Sequence, residues 1–261
     1  MAGRCSFACP CPQAQRAWRR DAAQGARGLA SPAAAIDLGQ DSSALARRTV
    51  RLVAPPSFAT LWLLPRLPRF YAANPDIAVQ LSSTAAQDVL EQVSGATAAT
   101  LRVLYGSSGC APARCFADIL MVPDYVPGCA PALAEALREP ADLLRQVLLH
   151  DDTFGEADGG NEWGWPRWFA AAGVALDSPL RGPHFSNAVL ALEAALAGQG
   201  TALASRPLVS AHLASGALRQ PLPLELRSPF SYMLVGTRAH VSRADVDCPR
   251  RWLVAEAAAS R

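Results

Sequence analysis

From Thr49 onward, hydrophobic and polar positions alternate in segments that change period at proline and glycine. Thr49-Val-Arg-Leu-Val-Ala54 has the period of a strand and stops at Pro55-Pro56. Ser57 then stands as the N-cap of an apolar helical stretch through Phe58, Leu61, Trp62, Leu64, Leu67 and Phe70, subdivided by Pro65 and Pro68. Asn74-Pro75-Asp76 reads as a turn and Ile77-Ala-Val-Gln-Leu81 as a second strand. A helix over 87–93 and a strand over 101–104 follow. Strand and helix in alternation at this spacing predict a parallel α/β sheet.

A second unit of the same kind comes next. It reads as a strand over 116–122, a short helix over 131–137, a strand over 147–149 and a helix over 163–172 stopped by Gly173. Phe185 precedes a helix capped at Ser186 and ended by Gly198. A strand over 201–204 and a helix opened by Pro207 lead to a strand over 232–235 and a last helix over 249–258. Residues 1–48 have no sustained period and read as a disordered or poorly packed leader.

Composition narrows the class. The 261 residues are 51% hydrophobic and 18% charged, enough apolar matter for a real core. No run approaches the roughly 18 apolar residues of a membrane span, which predicts a soluble chain. The formal net charge of +2 is uneven. Residues 1–48 carry seven arginines against Asp21, Asp37 and Asp41, a balance of +4. The remaining seventeen arginines face nineteen acids, a balance of −2 that lacks the basic footprint of a nucleic-acid-binding face. Cys5, Cys9, Cys11, Cys110, Cys115, Cys129 and Cys248 form no CxxC pair, so no metal is expected and free thiols in a reducing cytoplasm are the simplest reading.

Enzyme motifs are missing. The sequence has no GxSxG elbow, no glycine-rich phosphate loop and no HExxH. His150-Asp151-Asp152 has acid–base residues, yet such a triplet between a strand and an acidic loop reads as structural or solvated. Trp163, Trp165 and Trp168 read as anchors of a helix to the core. What stands out is a set of hydroxyl residues just past strand ends: Ser57, then Ser82, Ser83 and Thr84, then Ser186. In a parallel sheet such positions converge at the edge where ligands bind. Helix N-termini there suit a carboxylate or another small anion.

These residues resemble a family. Pro55-Pro-Ser-Phe-Ala-Thr-Leu-Trp-Leu-Leu-Pro-Arg-Leu-Pro-Arg-Phe70 with Asn74-Pro75-Asp76-Ile77 is similar to the opening of the effector-binding domain of LysR-type transcriptional regulators. The branch it looks most like is that of the glycine-cleavage regulator. The likeness continues through Leu104-Tyr105-Gly106, Cys129-Ala-Pro-Ala-Leu133, Leu148-Leu-His150 and Trp165-Pro-Arg-Trp168. It ends with Ala194-Ala-Leu-Ala-Gly-Gln-Gly200, Arg206-Pro-Leu208, Tyr232-Met-Leu-Val235 and Trp252-Leu253. It implies an α/β fold of two Rossmann-like subdomains joined by crossover strands, of the type II periplasmic-binding-protein kind. Subdomain I would span 49–122 and 230–261, and subdomain II 123–229.

The resemblance further implies a small-molecule effector, a homodimer or tetramer, and neither a cofactor nor catalysis. By position, Ser57 and Phe58 would form the first effector-binding loop, Ser83 and Thr84 the second, and Phe185 with Ser186 the loop across the hinge. Tyr105 would join them from the strand end. Two departures matter. Residues 1–48 resemble neither a winged helix-turn-helix nor a linker helix, so DNA contact is expected only through a headpiece missing from this chain. The family's Asp-Leu-Ala-Ile-Arg-Tyr-Gly reads Thr100-Leu-Arg-Val-Leu-Tyr-Gly106, losing its acid and its arginine. Three readings therefore stand: a ligand-sensing domain of a regulator, a free-standing solute-binding protein of the same fold, and an enzyme without a supporting constellation.

Overall fold

The computed structural model describes residues 48–84, 100–107, 114–154 and 163–260. Their strands form two five-stranded sheets. The first contains β1 (Arg48–Ala54), β2 (Ile77–Ser83), β3 (Thr100–Gly106), β4 (Cys115–Met121) and β10 (Ser231–Thr237), in the order β2-β1-β3-β10-β4. The second contains β5 (Asp124–Gly128), β6 (Leu148–Asp151), β7 (His184–Phe185), β8 (Thr201–Ser205) and β9 (Leu226–Arg227), in the order β7-β6-β8-β5-β9.

The predicted parallel pairing holds for β1 with β2 and β3, and for β6 with β7 and β8. It fails where the chain changes sheets. β5 arrives from the first sheet and pairs antiparallel with β8 and β9. β10 returns from the second sheet and runs antiparallel between β3 and β4. Both sheets are therefore mixed, and each carries one antiparallel strand at a point where the chain crosses between them.

β5 went unread in the sequence because Pro127 breaks the pattern of a strand interior. The structure accommodates it by alternation. Cys129 donates its N–H to Arg219, away from β8, and Pro127 two residues earlier faces the same way, so β8 loses no donor.

Local chemistry moves three predicted boundaries. Ser57 caps nothing: its backbone is already helical (φ −64°, ψ −45°), and Ala59 N–H donates to the Pro55 carbonyl at 2.9 Å. The helix opens at Pro56, where a missing N–H costs no bond. It widens into a π-helical turn over Phe58–Leu63, with Leu64 N–H reaching back to Ala59, and Pro65 ends it. α1 (Leu67–Ala73) resumes with Pro68 in its first turn.

The short helices α2 (Pro131–Ala134) and α3 (Trp165–Ala171) lie within their predicted spans. At α4 (Ala188–Leu196) the cap is Asn187 rather than Ser186, its Oδ1 accepting from Val189 and Leu190 N–H at 3.1 and 3.3 Å. α5 spans Arg206–Ser215. α6 (Ala244–Ala259) begins five residues before Pro249, because Asp245 and Asp247 favour a first turn and Arg243 pairs with Asp245 at 2.7 Å. The helix predicted over 87–93 lies outside the described residues.

Each sheet has its own core. Phe58, Trp62, Phe70, Leu101 and Leu234 are buried against the first sheet. Trp165, Trp168 and Phe169 are buried against the second, and the two indoles donate to the Leu149 and Leu224 carbonyls. Gly198 and Gly200 set the path between α4 and β8. Gly198 ends α4 at φ +74°, and a Cβ on Gly200 would overlap the Val147 carbonyl oxygen that accepts from Thr201 N–H. No helix among the described residues is long and apolar enough to cross a membrane.

Candidate functional site

A small cavity of about 40 Å³ lies between the two sheets. From the first half it is lined by Pro55, Ser57, Leu61, Tyr105 and Tyr232. The second half brings Tyr125, Leu149 and Asp151, together with Leu192 of α4 and Ser205 and Leu208 at the start of α5. The halves also touch around it: Leu208 is buried in the first core, and Leu61 packs against the cluster beneath α4.

The polar groups of the cavity are three phenols, two serines, Thr153 and one carboxylate. Tyr105 sits at the end of β3, and its hydroxyl is 2.9 Å from both the Tyr125 hydroxyl and Ser228 Oγ. Tyr125 follows the first passage between sheets, and Ser228 lies on the return passage between β9 and β10. Tyr232 faces Tyr105 across the β3–β10 ladder, with ring centroids 4.5 Å apart, and is hydrogen-bonded to Ser57.

Burial pushes the Tyr105 phenol up to about 12, against the pull of its bonds to Ser228 and Tyr125. Burial raises Tyr125 and Tyr232 as well. All three are therefore neutral hydrogen-bonding groups near pH 7.

Asp151 ends β6. Its Oδ1 accepts from Thr153 N–H at 3.1 Å and from Thr153 Oγ1 at 2.6 Å. Burial raises its pKa, and Asp152 adds to that, while the two Thr153 bonds oppose it. Among the described lining residues there is no arginine or histidine. A small anion expected at this edge thus meets a carboxylate and no basic side chain. The N-terminus of α4 already has its Asn187 cap.

The predicted site residues divide. Ser57 and Tyr105 line the cavity. Phe58 is fully buried behind it, packed on Trp62 and on Tyr232 at 4.8 and 5.2 Å, so it supports the wall without forming its surface. Ser83 is exposed at the end of β2, and Thr84 donates its amide to the Ala54 carbonyl at 3.1 Å. Phe185 is half-buried against the cluster under α4, and Ser186 is exposed. None of these last four is among the residues lining the cavity.

Sequence reasoning missed Tyr125, Asp151, Ser205 and Tyr232. Asp151 and Ser205 carried a usable signal, since both end a strand at the edge that singled out Ser57. Tyr125 did not, because its strand was unread.

His150 points away from Asp151 along β6 and stacks on His184, with centroids 4.4 Å apart. His184 Nδ1 is 2.7 Å from Asp152 Oδ1. These groups line an adjoining cavity of about 250 Å³, which shares Leu149, Asp151 and Leu203 with the first. Burial, then the neighbouring His184, lowers the His150 pKa.

Residues 43–258 match the LysR substrate binding domain. The chain belongs to this family. It is 32% identical over 212 residues to the HTH-type transcriptional regulator PerR of Escherichia coli K12, covering 80% of this chain and 66% of that protein. It is 30% identical over 230 residues to the glycine cleavage system transcriptional activator of the same organism, covering 85% of this chain and 68% of that protein. The chain thus spans about two thirds of the length of these LysR relatives.

Among solved structures, the effector domain of AmpR from Pseudomonas aeruginosa superposes with a TM-score of 0.67 at 31% identity, covering 82% of this chain and 97% of that one. The AmpR effector binding domain from Citrobacter freundii gives 0.67 at 25%, covering 81% and 99%. These neighbours have the two-subdomain α/β fold, and the relatives are transcriptional regulators rather than enzymes.

Proposed function

We propose that this chain senses a small-molecule effector for a LysR-type transcriptional regulator of the cytoplasm, acting as a homodimer or tetramer. Subdomain I would comprise 49–122 and 230–261, and subdomain II 123–229. Contact with DNA would belong to a part of the regulator outside the effector-binding unit. The observation that carries the reading is the Tyr105 hydroxyl, which binds both chain passages between the halves while its ring walls the cavity. A ligand that engages Tyr105 differently in two hinge positions shifts the balance between them by that difference in affinity. The PerR, AmpR and glycine-cleavage relatives support the assignment to regulation.

The test is a thermal-shift screen of the 261-residue chain against a broad set of small metabolites, in parallel with Ala188→Trp, which puts an indole at a position lining the cavity. A ligand at 100 times its Kd stabilises by about 2.7 kcal/mol. A compound that shifts the wild type and not Ala188→Trp supports the sensor. The absence of any such compound overturns it.

A further inference from the structure

The sensor reading leaves the effector's chemistry open, and the cavity lining narrows it. Asp151 brings a carboxylate to a small, mostly apolar space, and no ion pair to it exists among the described residues. One of its oxygens is engaged by Thr153. A partly buried carboxylate without a cation is less well solvated than one in water, and a bound ammonium group offsets that loss.

The tyrosines that line the cavity add to this. Tyr105 and Tyr232 stack at 4.5 Å, Tyr125 lies within hydrogen-bond reach of Tyr105, and all three line the cavity. Phenol oxygens accept hydrogen bonds from ammonium donors. Ser205 Oγ, on a residue 6% exposed, lines the same cavity with no hydrogen-bond partner, so the site is built to hold a molecule with a second polar atom. Size sets the scale: a water needs about 10–15 Å³ by this measure, so about 40 Å³ takes a compound of a few heavy atoms.

We infer that the effector is a small primary ammonium compound, held by the Asp151 carboxylate among Tyr105, Tyr125 and Tyr232, with Ser205 meeting a hydroxyl or similar neutral group. This rests on the sensor reading above and specifies its ligand.

The test uses the full chain and the chlorides of methylammonium, ethylammonium and ethanolammonium, matched at equal ionic strength by sodium acetate, sodium glycolate and ethanol. The ammonium salts are expected to raise Tm, with ethanolammonium tightest. Asp151→Asn keeps the shape and the Thr153 bonds, so it is expected to stay folded, with an unliganded Tm at or above that of wild type, while weakening ammonium binding at least tenfold. Ser205→Ala is expected to remove the advantage of ethanolammonium over ethylammonium.

The inference is overturned if no ammonium salt shifts Tm, if acetate or ethanol does so instead, or if ammonium binding survives Asp151→Asn within twofold. In each of those cases the comparison with Ala188→Trp in the wider screen decides the sensor reading separately. A cavity-dependent binder of another class leaves the sensor standing without the ammonium assignment.

Discussion

The hydroxyl of Tyr105, at the end of a strand in the first sheet, lies 2.9 Å from the hydroxyl of Tyr125, on the strand by which the chain enters the second. The same oxygen reaches Ser228 on the return path. One side chain thus ties the cavity wall to both connections between the halves. Any molecule that competes for the Tyr105 hydroxyl disturbs its bonds to both connections directly.

Tyr105→Phe keeps the ring against Tyr232 and removes that tie. Loss of a buried hydrogen bond costs about 1 kcal/mol. Urea denaturation is expected to show a destabilisation of that order with an unchanged m-value. A stability equal to wild type would mean that the hydroxyl carries no tension between the halves.

Asp151 makes a prediction with a sign. Its folded-state pKa is raised, chiefly by burial, with Asp152 adding and the Thr153 bonds opposing; Tyr105, Tyr125 and Tyr232 face it as neutral groups. The folded chain therefore holds the proton more tightly than the unfolded chain does. The stability this provides is complete below the ordinary carboxyl pKa of about 4 and is lost as pH rises through the raised value. Without ligand, Asp151→Asn is expected to be more stable than wild type at pH 8, with the gap closing toward pH 4. Equilibrium unfolding across that range checks it, and a less stable variant at pH 8 contradicts it.

His150 has the opposite sign. Burial and His184 hold its pKa below the ordinary imidazole value, so the unfolded chain takes up the proton first. Stability is expected to fall as pH drops below about 6.5 and on through the lowered folded value. His150→Phe keeps the stack on His184 and is expected to flatten that limb of the pH–stability curve. An unchanged slope would assign the acid sensitivity to other groups.

Gly200 is a steric prediction. An alanine there would force its methyl into the Val147 carbonyl, which already accepts from Thr201. Overpacking of this kind costs roughly 1–3 kcal/mol. Gly200→Ala is expected to lower Tm by several degrees, whereas a Tm within one degree of wild type would show that the α4–β8 connection is free to move.

Much of the fold was legible because strand and helix periods are written directly in residues such as Val50, Leu52, Leu101 and Val103. The two passages between halves were not legible. β5 hides behind Pro127, and the antiparallel placement of β10 depends on partners more than a hundred residues away. The candidate site was half legible for a related reason. Strand ends draw attention to Ser57 and Tyr105, but which strand ends face one another is decided by how the two sheets pack. That packing brings in Tyr125, Asp151 and Ser205 and leaves Ser83 and Ser186 at the surface. The caps show the limit at its smallest scale: Asn187 displaces Ser186 by one residue because its amide oxygen reaches two N–H groups at once.

The most direct test of the account is a crystal structure of the full chain grown with the tightest cavity-dependent binder from the screen. The account predicts that molecule between Asp151, Tyr105 and Leu192, with its polar end on the carboxylate and the Tyr105–Tyr125 contact altered. A binder found on the outer surface, or a filled cavity with Tyr105, Tyr125 and Ser228 unmoved, would contradict it.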